Sequence, residues 1–140
     1  MGDMTLTLTL TQAEIEYLSS QPLGRLATVA PDGSPQVNPV GFRYDAERGV
    51  IDIGGRDLGK SKKYRNVAAG SRAALVVDDL VSRQPWQVRG VEIRGDAEAL
   101  DNQDPQRPGL SGELIRIHPK RVISWGIEPG AEGMRARDLE

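Results

Sequence analysis

The stretch Trp86 to Leu100 is the clearest strand of the chain. Val91, Ile93, Gly95, Ala97 and Ala99 interleave with Glu92, Arg94, Asp96 and Glu98. Successive side chains of a strand point to opposite faces, so this period of two puts the apolar set on one face and the charged set on the other. A strand so much longer than the usual five or six residues has to curve to stay on a small domain. Gly90 and Gly95 are the expected bending points. A long curved strand needs antiparallel neighbours and a way to hide its edges, which a barrel provides.

The neighbours are legible on both sides. Leu23 to Ala30 reads as a strand, Pro31-Asp32-Gly33-Ser34 as a turn, and Gln36 to Tyr44 as the second arm of a hairpin. Asn38, Val40, Phe42 and Tyr44 share one face of that arm. Asp45 to Gly49 is a further hairpin loop, leading into Val50 to Gly54. Ala73 to Val77 is a continuous apolar run that suits a strand buried on both faces, ended by Asp78-Asp79, with Leu80 to Pro85 as loop. Glu113 to Ile117 and Lys120 to Ile127 are expected as two strands separated by His118-Pro119, and Asp101 to Gly112 as a polar loop.

Two short helices punctuate the strands. Thr11-Gln12-Ala13-Glu14 has the form of a capping box and opens a helix running to Ser20, closed by Pro22. A glycine-rich turn, Gly54 to Gly59, precedes a helix from about Lys60 to Ala69 with Gly70 as its C-cap. The result is a mainly β chain with few helices. It forms one domain over residues 1–140, with residues 1–10 and 128–140 expected as polar, frayed tails.

Composition narrows the chemistry. The chain has 140 residues, a net charge of −2, one histidine and no cysteine. Disulfides, thiolate catalysis and cysteine-ligated zinc are excluded, and no metal cluster can be assembled. No overall positive field advertises nucleic acid or an anionic membrane. No apolar run approaches the roughly 20 residues needed to cross a bilayer, and a cytoplasmic location is expected. Only six aromatic residues are present (one Phe, two Trp, three Tyr). A core so poor in rings leaves a sheet face open, for which dimerisation is the usual remedy.

One segment carries the candidate chemistry. Lys60, Lys62, Lys63 and Arg65 crowd the start of the second helix, where the positive pole of the backbone already disfavours cations. Cations, the Ser61 hydroxyl and free N–H groups together make an anion site, and Gly54, Gly55 and Gly59 let backbone approach a phosphate. Lys63 and Asn66 stand three apart and can face one ligand. A solvated basic face balanced by Asp57 and Asp78 is the competing reading. His118, followed by proline, suits a turn or surface role. Trp86 and Trp125 suit core or interface packing, or alternatively a cap on the pocket. No nucleophile with a partner base is available, so no catalytic side chain is assigned.

Several stretches together resemble a known family: Gly24-Arg25-Leu26-Ala27-Thr28-Val29, Pro31 to Val40, Lys63-Tyr64-Arg65-Asn66-Val67 and Ser71-Arg72-Ala73, with weaker support from Val122 to Gly126. The family is the pyridoxamine 5′-phosphate oxidase-like superfamily, and more narrowly its actinobacterial branch of F-420-dependent oxidoreductases. The resemblance implies an FMN-binding-like, six-stranded split β-barrel, homodimeric, with cofactor sites at the subunit interface. It implies coenzyme F-420, with FMN as the alternative, and a small-molecule substrate. By position Lys63 matches the family's phosphate-binding lysine and Asn66 its helix asparagine. Ser61 stands where many relatives carry arginine, a role open to Lys60 or Arg56. Asn38, Pro39 and Val40 would lie beside the ring system, and Ile53 to Arg56, including Gly54 and Gly55, under the ribityl chain. In such proteins the cofactor carries the hydride chemistry and the protein orients it. The expected activity is hydride transfer from reduced F-420 to an unsaturated or quinone-like molecule. The alternatives are an FMN oxidoreductase and a non-catalytic cofactor or haem binder.

Overall fold

The computed structural model describes residues 10–105, 107–130 and 133–139. Helix α1 (Gln12–Ser20) comes first, followed by strands β1 (Gly24–Val29), β2 (Pro35–Val40), β3 (Arg43–Asp45) and β4 (Val50–Ile53). A 3₁₀ turn (Leu58–Lys60) and helix α2 (Lys62–Ala68) follow. The long strands β5 (Ala73–Arg83), β6 (Trp86–Leu100) and β7 (Leu114–Trp125) and the short β8 (Met134–Asp138) complete the chain. All pairings are antiparallel, in the order β2-β1-β5-β6-β7-β4-β3, with β8 also on β7. The strands number eight, two more than the six the resemblance implies.

The hairpin arm expected from Gln36 to Tyr44 is broken. β2 ends at Val40 and β3 begins at Arg43, and the two halves lie at opposite ends of the sheet order. Pro39 brings no N–H and Gly41 little rigidity, so the chain can leave one partner and join another there. This crossing is the split in the barrel, and among the described residues β2 pairs only with β1.

Two expected breaks are absent, one because its carboxylates have partners across the sheet and the other because a bulge on the facing strand accommodates it. Asp78 pairs with Arg25 and Asp79 is forked by Arg89, so β5 runs on to Arg83. Its first five residues alternate buried and half-buried, so one face is open where burial on both was expected. β7 passes straight through His118-Pro119, opposite a register shift at Arg94/Gly95. A side chain at Gly95 would strike the His118 carbonyl, so the bulge depends on glycine there.

The C-terminal stretch is an ordered strand, where frayed tail was expected. Arg137 of β8 forks Glu14 of α1 at 2.8 and 2.7 Å, and Glu14 is fully buried. Glu14 also accepts from Thr11 N–H at 2.8 Å, completing the capping box. The N-terminal expectation for residues 1–9 lies outside the described residues, while Leu10 is buried in the core.

Leu26, Ile51, Ile53, Leu75, Val77, Val91, Ile93, Ile115, Ile117 and Val122 form the barrel interior, closed by Leu18 of α1 and Val67 of α2. The other face of the sheet is bare. Val29, Val37, Leu80, Val88, Trp86 and Met134 are exposed, and strand register places them all on that outer side. Trp125 shares this side and lies over Gly90. Trp86 is 70% exposed, so the expectation of core packing fails for it within one chain. No described helix is long and apolar enough to cross a membrane.

Candidate functional site

Helix α2 is held at a fixed tilt by its polar residues. Ser61 is its N-cap: its hydroxyl accepts from Tyr64 N–H at 3.3 Å and donates to the Leu58 carbonyl at 2.6 Å. The Tyr64 hydroxyl donates to the Leu100 carbonyl at 3.0 Å. Asn66 is buried, and its amide donates to Thr28 Oγ1 at 3.1 Å and to Gln36 Oε1 at 3.2 Å. Ser61 and Asn66 therefore work first as fasteners between the helix, the preceding turn and the β1–β2 hairpin. Their polar hydrogens are committed to the protein.

The cations around them are not committed. Arg56, Lys60, Lys62, Lys63 and Arg65 make no ion pair among the described residues. Asp78, a suggested counter-charge, is taken by Arg25. Lys62 and Arg65 line a groove of about 630 Å³ against Ala30, Pro31 and Asp32 of the β1–β2 turn, with Asn66 and Ala69 in its wall. Asp32 is held below the usual carboxylate range first by the Ser34 N–H and to a smaller degree by Lys62. Lys63 is half-buried and lies next to buried Asn66 and Val67 on the sheet-facing side of the helix, one turn nearer its start.

The structure does not bring all the sequence-predicted residues into one place. Lys60 turns the other way, into a cleft it shares with Asp57, Tyr64, Asp101, Ser111 and Glu113. Glu113 is held below the usual carboxylate range by the Ser111 hydroxyl and the Gly59 N–H. Arg56 is exposed in the turn after β4. The Gly55 carbonyl accepts from the Ser111 N–H at 2.9 Å and from its hydroxyl at 3.0 Å. Gly54 faces Leu110 and lines a separate small cleft. None of Gly54, Gly55 or Gly59 has a positive φ, so it is crowding by Leu110 and Glu113 that keeps Gly54 and Gly59 small.

Along β2, Val40 is buried in the core and Pro39 is exposed on the outer face. Asn38 shares the inner face with Val40, and its Oδ1 is buried with no hydrogen-bond partner among the described residues. A buried amide oxygen without a donor costs on the order of 1–3 kcal/mol, which a bound N–H group would recover. That orphaned acceptor, the free edge of β2 and the uncommitted cations on α2 fit an anionic, ring-bearing cofactor lying along the split.

A family model for pyridoxamine 5′-phosphate oxidase matches residues 10–135. The chain belongs to that family. It is 51% identical over 131 residues, 92% of each chain, to the 5a,11a-dehydrotetracycline/5a,11a-dehydrooxytetracycline reductase of Streptomyces rimosus subsp. rimosus. Among solved structures it is similar to an F-420 reductase, with a TM-score of 0.61 at 26% identity over 81% of this chain and 98% of the other. An FAD-binding protein from Mycobacterium smegmatis shares the fold, with a TM-score of 0.60 at 19% identity over 93% and 98%. The chain is an oxidoreductase of the pyridoxamine 5′-phosphate oxidase family.

Two features of this family member escaped the sequence reading. Arg43 and Arg107 line one cleft, although they are distant in sequence and belong to no motif. A more apolar hollow of about 570 Å³ lies on the outer face, where Ala27, Val29 and Ala74 are rimmed by Arg72, Arg94 and Arg121, and it contains none of the predicted residues. His118 is half-buried in mid-strand, with Nε2 buried 3.5 Å from Glu98 Oε1, so the turn role fails because the strand is continuous.

Proposed function

We propose that the chain is an F-420-dependent reductase acting on the activated carbon–carbon double bond of a polycyclic enone. The observation that carries this reading is the uncommitted cation set on α2 beside the free edge of β2. The names of the Streptomyces reductase and of the F-420 reductase point the same way. When bound, reduced F-420 supplies a hydride to the double bond, which also gains a proton from water as the cofactor is oxidised.

The residues of the chain bind and orient. Lys63 holds the phosphate, and Lys62 and Arg65 extend positive charge along the groove toward the β1–β2 turn, where an acidic tail beyond the phosphate would lie. That extension favours F-420 over FMN, which ends at its phosphate. Asn38 Oδ1, buried and without a donor among the described residues, would accept an N–H of the ring. Asn66 and Ser61 keep α2 in place so that the lysines need no reorganisation when the anion arrives.

A second copy of the chain covers the outer face, giving the homodimer that the exposed row of Val29, Val37, Leu80, Trp86 and Val88 calls for. Sedimentation of the purified chain should show a dimer that Val37→Asp dissociates.

Side-by-side titration with F-420 and FMN, followed by calorimetry, tests the cofactor assignment. Tighter binding of F-420, and oxidation of F-420H2 in the presence of a polycyclic enone, are the expected results. A yellow protein that releases FMN on denaturation and ignores F-420 would replace this reading with the FMN one. Binding without turnover across enones and quinones would leave a carrier.

A further inference from the structure

Cations that share a small cleft with no carboxylate in its wall repel one another until an anion enters. Among the described residues, the cleft between the β2–β3 break and Leu110 is such a place. It measures about 200 Å³ and is lined by Pro22, Phe42, Gly54 and Leu110 together with Arg43 and Arg107. Neither arginine has an ion pair among the described residues. Arg43 sits directly across the strands from Asp52, but that carboxylate is forked by Arg116 at 2.8 and 3.0 Å and is 2% exposed. Arg107 reaches toward Gly41, where an added Cβ would stand 3.6 Å from its Nη2. The contrast with the cleft beside Tyr64 is direct: there Lys60 is accompanied by Asp57, Asp101 and Glu113.

We propose that this cleft is an anion subsite for the hydride acceptor, in which Arg43 and Arg107 hold a planar oxyanion. This rests on the reductase reading, because Gly54 in its wall and the Gly41–Phe42 break join it to the segments assigned to the cofactor. Guanidinium forks match a flat group with two oxygens, as in a carboxylate or the enolate of a 1,3-dicarbonyl. Phe42, Leu110 and Pro22 supply apolar surface for the ring that carries it. At this volume the cleft takes one end of a polycyclic molecule and leaves the remainder over the split, since pockets for whole drug-sized ligands start near 300 Å³.

The test uses direct binding, so it does not depend on turnover. The ¹⁵N-labelled full chain is titrated with 2-acetylcyclohexane-1,3-dione as the enolate probe, with benzoate as the carboxylate probe, and with cyclohex-2-enone as a neutral ring. One or both anions should shift the Gly41, Gly54 and Leu110 amides, and whichever does so identifies the oxyanion. R43Q and R107Q should each raise the dissociation constant of that probe about tenfold or more, as loss of a charge-assisted hydrogen bond predicts. R107K should recover part of it, because lysine keeps the charge and loses the fork. Both arginines are exposed, so folding is expected to survive, and an unchanged melting temperature checks this. The proposal is overturned if neither anion shifts these amides, if cyclohex-2-enone binds with the same dependence on the arginines, or if the variants lose F-420 affinity instead, which would give the cleft to the cofactor. Failure of wild-type protein to bind F-420, with arginine-dependent anion binding intact, would sink the cofactor reading and spare this one.

Discussion

Two regions of the molecule use the same residue types in opposite ways. On the α1 side, the cations are spoken for. Arg137 forks buried Glu14, and Arg89 forks Asp79 while its guanidinium stands 5.2 Å above the Tyr17 ring. On the α2 side, Arg56, Lys60, Lys62, Lys63 and Arg65 have no such partner among the described residues. An arginine held by a carboxylate has little capacity left for a ligand, while a cation that makes no ion pair adds little to folding and keeps its charge available to an anion. The first region should therefore answer mutation through stability and the second through binding.

The largest effect is expected at the Glu14–Arg137 pair. Arg137→Ala leaves a fully buried carboxylate without its main counter-charge, a loss on the order of 3–5 kcal/mol. Urea denaturation should show a large fall in midpoint with F-420 affinity per folded molecule unchanged. A variant as stable as the parent would mean that β8 is not a fastening of α1 and that the contrast between the two regions is misplaced.

Lys63→Ala sharpens the other side. It should weaken F-420 binding by about 1.5–3 kcal/mol, roughly ten- to a hundredfold, while the denaturation midpoint stays within experimental scatter. Unchanged affinity would move the phosphate from Lys63 to the groove lined by Lys62 and Arg65, the next residues to change.

Asn66→Ala tests the boundary between the regions, because Asn66 belongs to the basic helix yet spends its amide on Thr28 and Gln36. The expected cost is about 1–2 kcal/mol of stability, with a smaller secondary loss of cofactor affinity as α2 loosens. A loss confined to affinity would make it a ligand contact, the role its sequence position first suggests.

What the sequence discloses follows the range of the interactions involved. The capping box of Thr11 and Glu14, the alternation from Val91 to Ala99 and the Asp45 to Gly49 hairpin loop are local, and each is found where its pattern says. Asp45 Oδ1 accepts from the N–H groups of Glu47 and Arg48, and Gly49 takes a φ of +67° to close that loop. Strand β5 reads as ending at Asp78-Asp79 because Arg25 lies 53 residues away in sequence and nothing local says that it neutralises a strand carboxylate. The sequence divides β7 at Pro119 because the glycine that accommodates it is on another strand, and β8 reads as tail because Glu14 is 123 residues from Arg137. The same holds at the site. The lysine run on α2 is contiguous and legible, whereas Arg43 and Arg107 come to line one cleft only in the folded chain.

The smallest expected effect lies in the paired region and is visible mainly through pH. The Tyr17 hydroxyl donates to Asp79 Oδ1 at 2.7 Å, and burial first, then that bond, raises its pKa above the ordinary 10.0. A folded-state pKa that is raised contributes stability fully below the unfolded value and loses it as pH climbs toward the folded one, so the Tyr17 contribution should disappear only in strong alkali. Asp79 is lowered, by the Arg89 bond first and the Tyr17 bond second, so its contribution is present above the ordinary carboxylate range and is lost in acid. Tyr17→Phe should thus cost about 1 kcal/mol at neutral pH, flatten the fall in stability above pH 10 and leave most of the acid limb in place, since Arg89 still holds Asp79. Denaturation midpoints measured from acid to pH 11 separate these limbs. A collapse of the acid limb in the Phe variant would mean that the tyrosine, and not the arginine, is what keeps Asp79 ionised, and the paired region would then be built on hydrogen bonds more than on charge.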